Sequence, residues 1–373
     1  MFAPSVQSFL YARVAKPYFF RRDAEMIHDR VLALGERAGR SAFLRGLARV
    51  LWRYEHPALR QDLLGIRFPN PIGLAAGFDK NAELSDILPA VGFGFMEAGS
   101  VTGSPCAGNP KPRLWRLPET GGLVVNYGLK NDGCDAIAAR LRDRPRAIPL
   151  GISIAKTNSP DTVETAAAIA DYVRAFRALH TLGDYVTVNI SCPNAFGGEP
   201  FTDPERLDQL LTAIDAVGSS VPIFMKLPAD VSTRDLDALV GVTDRHRVWG
   251  LIVSNLTKRR DAPTIRREEC ARVGRGGVSG KPVAPLANAL LGHLWRTVGS
   301  RYVLVGCGGV FSAEDAYEKI RLGASLVQLV TGMIFRGPQL IGAINRGLVR
   351  LLARDGFADI RSAIGAAHRA AAS

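Results

Sequence analysis

Residues 185–194 read YVTVNISCPN. Aromatic and β-branched residues make the first half a buried strand. The second half gathers Asn189, Ser191, Cys192 and Asn194 where that strand meets a loop. Short apolar runs of the same kind recur at Ile72 to Ala76, Phe93 to Gly99, Ile148 to Ala155, Pro222 to Leu227, Trp249 to Ser254, Tyr302 to Val305 and Leu326 to Val330. Helical patterns lie between them, at Val163 to His180, Pro204 to Val217, Thr233 to Arg245, Pro285 to Val298 and Ala313 to Leu322. Eight buried strands alternating with helices predict an α/β chain folded as a (β/α)8 TIM barrel, with an open doubly wound sheet as the competing arrangement.

The totals agree with a folded chain: 373 residues, 47% hydrophobic and 22% charged, suit a globular protein with a large core and argue against disorder. Five cysteines, at 106, 134, 192, 270 and 307, form no C-x-x-C pair and no metal-ligand spacing. A disulfide framework, a zinc site and an iron–sulfur cluster are therefore not expected, and a reducing compartment fits best.

The formal net charge is +12, and the first 60 residues carry eleven Lys/Arg against five Asp/Glu. In that part Phe9, Leu10, Val14, Ile27, Val31, Leu34, Phe43, Leu44, Leu47 and Val50 recur at helical spacing, interleaved with arginines. Such helices have one greasy and one basic side and suit either an anionic membrane surface or a cap on a larger domain. No run is long enough to span a bilayer, which takes ~18 apolar residues, and no signal peptide is expected. The expected organisation is a helical segment at 1–56, the barrel at 57–355 and a tail at 356–373, frayed where it turns Ala-rich after Ile364. A Pro/Gly-rich insertion from Gly103 to Gly128 should hold a hairpin that turns at Glu119-Thr120-Gly121-Gly122 and covers the barrel mouth.

Polar side chains at the carboxyl ends of barrel strands point into one shared mouth. In chain order these are Asp79 and Lys80, Ser100 and Thr102, Ser153 and Lys156, the 189–194 cluster, Lys226, and Ser254 with Asn255. Lys226 stands inside a strand between Met225 and Leu227. Desolvating its ammonium demands an anionic neighbour: a ligand, or a buried acid. A Schiff-base lysine is the other chemical reading. Glycine clusters at 274–280 (GRGGVSG), 306–309 (GCGG) and Thr331-Gly332 follow the last three strands, where barrels hold phosphate on backbone amides. Asn189, Asn194 and Asn255 offer donors and acceptors for a planar ring bearing carbonyls and N–H groups. Cys192 is then the local group able to exchange a proton, an ordinary thiol having a pKa of ~8.5.

Eight motifs carry a resemblance to a known family: AAGFDKN, KPRLWRL, VNISCPN, MKLPAD, SNLT, GGVSG, VGCGGV and SLVQLVTGMIFRGP. In order and spacing, over about residues 20 to 350, the chain resembles the dihydroorotate dehydrogenases. The basic helical extension is similar to the class 2, quinone-reducing, membrane-associated branch. The resemblance implies FMN, with its phosphate held by Gly280, Gly309, Val330 and Thr331 and its ring by Ala76, Gly77, Lys80, Ser100, Ser153, Asn189, Lys226 and Ser254. It implies a substrate gripped by Lys80, Asn126, Tyr127, Gly128, Asn189, Asn194 and Asn255, with hydride leaving substrate C6 for the flavin while Cys192 removes the C5 proton. Its partners would be small molecules, a quinone and a membrane surface rather than nucleic acid, and its place the cytoplasmic face of the cell membrane.

The chain departs from the family pattern at the pocket. Cysteine stands at 192 where class 2 members carry serine, and Val125 replaces a substrate-binding asparagine, with Asn126 one place late. Ser153, Leu256 and Val330 stand where Asn, Thr and Tyr are usual. A one-residue shift turns a side chain to the opposite face of an extended segment, so the pocket also suits a less polar reduced ring or enone as an alternative substrate.

Overall fold

The computed structural model describes residues 4–369. Eight parallel strands close into a barrel in sequence order: β1 Ile72–Leu74, β2 Phe95–Val101, β3 Leu150–Ile154, β4 Tyr185–Asn189, β5 Ile223–Lys226, β6 Val248–Val253, β7 Val303–Cys307 and β8 Leu326–Leu329, with β8 paired back onto β1. Every strand falls within or beside a run expected from the sequence, and the fold is the (β/α)8 barrel. The register places Asn189 of β4 beside Lys226 of β5 and Lys226 beside Ile252 of β6.

The surrounding helices form because each carries one apolar stripe. In Pro204–Asp215, Leu207, Leu210, Leu211 and Ile214 face the barrel, and the start is fixed by Asp203, whose carboxylate accepts from the Arg206 amide at 3.0 Å. Each side chain so buried contributes ~1.5–3 kcal/mol.

The floor of the barrel is filled by rings set against glycines. A Cβ at Gly73 would lie 2.3 Å from the ring of Phe95, at Gly151 2.2 Å from Tyr185, and at Gly250 2.8 Å from Phe224. The antiparallel pair Gln61–Leu63 and Ile66–Phe68 brings Phe68 edge-on to Phe95, ring centroids 5.5 Å apart. These buried rings close that end, which leaves the carboxyl ends of the strands as the open mouth.

Over the mouth lies a second, antiparallel sheet. The expected hairpin forms from Leu114–Leu117 and Gly122–Val125, turning through Gly121 at φ +72°. The glycine-rich Gly277–Gly280, read from sequence only as part of a phosphate loop, is a third strand paired with Gly122–Val125.

Before the barrel come Pro4–Leu10, a π-helical turn Tyr11–Ala15, Lys16–Phe20, Ala24–Arg40 and Ala42–Trp52. The two longer helices are capped by Asp23 and Ser41, which accept from the Met26 and Leu44 amides at 2.7 and 3.3 Å. Glu25, on the first of them, is buried against Arg113 of the insertion, carboxylate to guanidinium 2.8 Å, and Lys111 approaches to 3.4 Å. Burial opposes the charge of Glu25, but Arg113 and Lys111 outweigh it and hold the carboxyl below its ordinary range. Phe9, Val14, Leu34, Phe43, Leu47 and Val50 of this segment face outward. Among the described residues no helix is long and apolar enough to cross a membrane.

The carboxyl-terminal tail does not fray at Ile364. Ile360 and Ala363 are fully buried, the Gly365 amide donates to Ile320 O at 3.1 Å, and Ala366–Arg369 is helical. Burying these side chains outweighs the cost of ordering a short segment. The rest of the Ala-rich tail lies outside the described residues.

Candidate functional site

The strand ends converge on two adjoining cavities of about 180 and 100 Å³. Ala76, Gly77, Ser254, Gly280, Gly309, Val330 and Thr331 line the larger. Lys80, Ser100, Gly128, Asn189, Cys192 and Asn194 line the smaller, and Lys226, Tyr127 and Asn255 are common to both.

The larger cavity has a glycine-lined end that could hold a phosphate. A Cβ at Gly280 would fall 2.4 Å from Gly121 O, one at Gly309 2.3 Å from the Ala284 methyl, and one at Gly332 1.9 Å from Val310 O. Only bare backbone fits at these positions. Thr331 and Gly332 open the helix Thr331–Arg336, so their amides have no acceptor within it. Ser279 and Thr331 hydroxyls lie 2.9 Å apart and tie the two sides of the cradle together.

At the other end of this cavity Lys226 is buried, yet it forms no ion pair among the described residues. The acid that the sequence reading missed is Glu97 of β2, fully buried inside the barrel. One of its oxygens accepts from Thr187 and Gln328, each at 3.0 Å, and from Tyr185 at 3.3 Å; the other has no partner. Burial raises its pKa against the pull of Lys226. A carboxylate in the middle of FMEAGS is the same signal as a lysine in FMKL, and could have been read the same way. Glu97 and Lys226 form no ion pair among the described residues, and the ammonium lines both cavities.

A hydrogen-bond chain lines the smaller cavity. Asn189 Nδ2 donates to Ser100 Oγ at 2.8 Å, and Ser100 shares a 2.8 Å bond with Ser153. Asn189 Oδ1 accepts from Ser191 Oγ at 3.0 Å, and Asn255 Nδ2 donates to Ser191 O at 2.6 Å. The two carboxamides are thus fixed in orientation across the mouth. Ser153 does not reach either cavity: its hydroxyl is fully buried behind Ser100, which it orients.

Cys192 lines the smaller cavity, half-buried. Burial pushes its thiol up to about 11, although the Asn194 amide, Lys156 and Lys226 all favour the thiolate. The advantage over a serine hydroxyl that an ordinary thiol would have is therefore reduced. Lys156 donates to Phe196 O at 2.5 Å and pins the loop that carries the thiol.

Lys80 sits with its ammonium 4.0 Å from the Tyr127 ring centroid, and burial, then the Lys130 charge, lowers its pKa to about 8. Its loop is held by Asp79, whose carboxylate accepts from the Glu83 and Leu84 amides at 2.9 and 2.8 Å. Tyr127 contributes a buried hydroxyl that has no hydrogen-bond partner among the described residues.

Asn126 does not line either cavity. Val125 does, while the Asn126 carboxamide turns to Asn109, accepting from its Nδ2 at 3.0 Å. The alternation of an extended chain puts neighbours on opposite faces, so the late asparagine does not take the place of the missing one. Asn109 is a hub that the sequence did not reveal: the same Nδ2 reaches Asn194 O at 3.0 Å, and its Oδ1 accepts from Asn158 at 3.0 Å.

A third cavity, of about 470 Å³ and almost wholly apolar, lies between the amino-terminal helices. It shares His28, Phe78, Leu114, Leu123 and Ile334 with the larger strand-end cavity. His28 bonds through Nε2 to Phe78 O at 2.9 Å, and burial lowers its pKa to about 3, so the ring is neutral and its Nε2 donates. Tyr11 and Arg116 stand at the same wall.

The profile of the dihydroorotate dehydrogenase family matches residues 58–352. A Nocardia farcinica protein named dihydroorotate dehydrogenase (quinone) is 40% identical over 349 residues, 92% of this chain and 94% of that one. One of the same name from Myxococcus xanthus is 41% identical over 362 residues, 95% and 98% of the two chains. Among solved structures, the Eimeria tenella DHODH in complex with ferulenol superimposes with a TM-score of 0.82 at 28% identity, covering 93% of this chain and 96% of that one.

Proposed function

The chain belongs to the dihydroorotate dehydrogenase family, and from that premise we propose how its residues carry out the FMN-dependent oxidation of (S)-dihydroorotate to orotate with a quinone as electron acceptor. The observation that carries the reading is Lys226, a buried ammonium without an ion pair among the described residues, at the junction of a glycine-lined cradle and a carboxamide-lined pocket. The residues present fit FMN. Gly280, Gly309, Val330 and Thr331 would hold its phosphate, and Ala76, Gly77, Ser100, Asn189, Lys226 and Ser254 its ring. FMN, when bound, supplies the two-electron acceptor.

The chain's own residues do the rest. Lys80, Asn194 and Asn255 hold the substrate ring, with Asn255 oriented through Ser191 and Asn194 through its 2.9 Å bond to Val125 O. Cys192 takes the proton from the ring carbon that faces it, acting as general base. Lys226 places positive charge where negative charge accumulates as electrons arrive.

The amino-terminal helices form the quinone entrance. Their apolar chamber meets the larger cavity at His28 and Phe78, which supports electron exit on that side. Outward-facing Phe9, Phe43 and Val50, set in sequence among Arg13, Arg45 and Arg49, suit an anionic bilayer surface. On this reading the enzyme sits peripherally on the cytoplasmic face of the cell membrane. The relatives favour dihydroorotate over a less polar ring, whatever the loss at Val125. Purified protein should be yellow, and its flavin absorbance should bleach on adding dihydroorotate without oxygen. Bleaching by another reduced ring but not by dihydroorotate overturns the assignment.

A further inference from the structure

We propose that Lys130 is a second cation for the carboxylate of the substrate, acting beside Lys80 and replacing binding lost at Val125. The inference rests on the dihydroorotate reading above. Lys130 and Lys80 both line the smaller cavity, and both also line a wider opening to solvent of about 780 Å³. Lys130 therefore stands where an anionic ring acid passes from water into the site.

Its present partners hold it loosely. The ammonium lies 3.7 Å from Glu25 Oε1 and 3.8 Å from Asp29 Oδ1, beyond hydrogen-bonding distance. Glu25 is already satisfied by the Arg113 fork at 2.8 and 3.1 Å, so Lys130 can swing away without orphaning a buried carboxylate. Two ammonium groups facing one small cavity repel each other, an arrangement that an anion between them relieves. The charges that act on Lys80 are Lys130 on one side of the balance and Asp29, Asp79 and Glu25 on the other; Lys130 is the largest of them, after burial itself. Val125 and Leu256 also line this cavity, and neither can bind a carboxylate.

Lys130→Met separates a binding role from a structural one. The expected result is a KM for dihydroorotate raised about tenfold, the loss of one charge-assisted contact, with kcat within about twofold of wild type. The rise in KM above about pH 8, where Lys80 loses its charge, should also move to higher pH, because Lys80 loses its like-charged neighbour; Lys130→Arg should keep the wild-type KM. An unchanged KM, whether or not the melting temperature falls, overturns the proposal, as does a raised KM with an unmoved alkaline limb. Should the methionine variant not fold, Lys130→Gln carries the same test. Wild-type protein that dihydroorotate does not bleach overturns the underlying functional reading instead, before any variant is made.

Discussion

The base at 192 makes a quantitative prediction. With the thiol pushed up to about 11, only about one molecule in ten thousand carries the thiolate at pH 7; an ordinary thiol would give about 3%. The difference is a few hundredfold, or ~3 kcal/mol. If the thiolate removes the proton, bleaching of the flavin at saturating dihydroorotate should accelerate about tenfold per pH unit from pH 7 towards 10. Rapid mixing without oxygen measures this directly, and saturation is needed because Lys80 loses its charge above about pH 8. Cys192→Ser should keep a measurable rate with its profile displaced further upward, since a hydroxyl holds its proton more tightly. Cys192→Ala should lose the step. A flat pH profile, or an alanine variant as fast as wild type, would refute the base assignment.

Two further expectations concern the amino-terminal segment. Glu25→Ala leaves Arg113 buried without its carboxylate and should destabilise the protein by ~3–5 kcal/mol in chemical denaturation, because the penalty is that of an uncompensated buried charge. Replacing outward-facing Phe43 and Val50 by Glu should leave folding and FMN reduction intact while vesicle binding to anionic lipid falls more than about tenfold, as apolar contact and charge attraction are both lost; undiminished binding counts against the membrane surface.

The barrel was legible because its strands are buried on both faces and so read as short apolar runs, and the hairpin because Gly121 marks its turn. Lys226 was legible because a mid-strand ammonium must answer to desolvation. What escaped depended on pairing across long sequence separations. Gly277–Gly280 contains too little side chain to look like a strand, and becomes one only because Gly122–Val125 offers its edge. Asn109 looked like an ordinary loop residue, and its role exists only once Asn126, Asn158 and Asn194 are brought around it. The thiol at 192 was placed correctly, but its acidity depends on how deeply the folded chain encloses it.

The three glycines beneath the rings make tolerance to change lopsided along the barrel axis. Adding even a methyl at Gly73, Gly151 or Gly250 requires Phe95, Tyr185 or Phe224 to shrink in the same step, so the bottom of the cylinder can vary only by coupled exchanges. Residues around the rim, such as Val125 and Leu256, border open space and can be altered singly. Selecting variants for new ring substrates should therefore yield single changes above the middle of the strands, and correlated pairs below it.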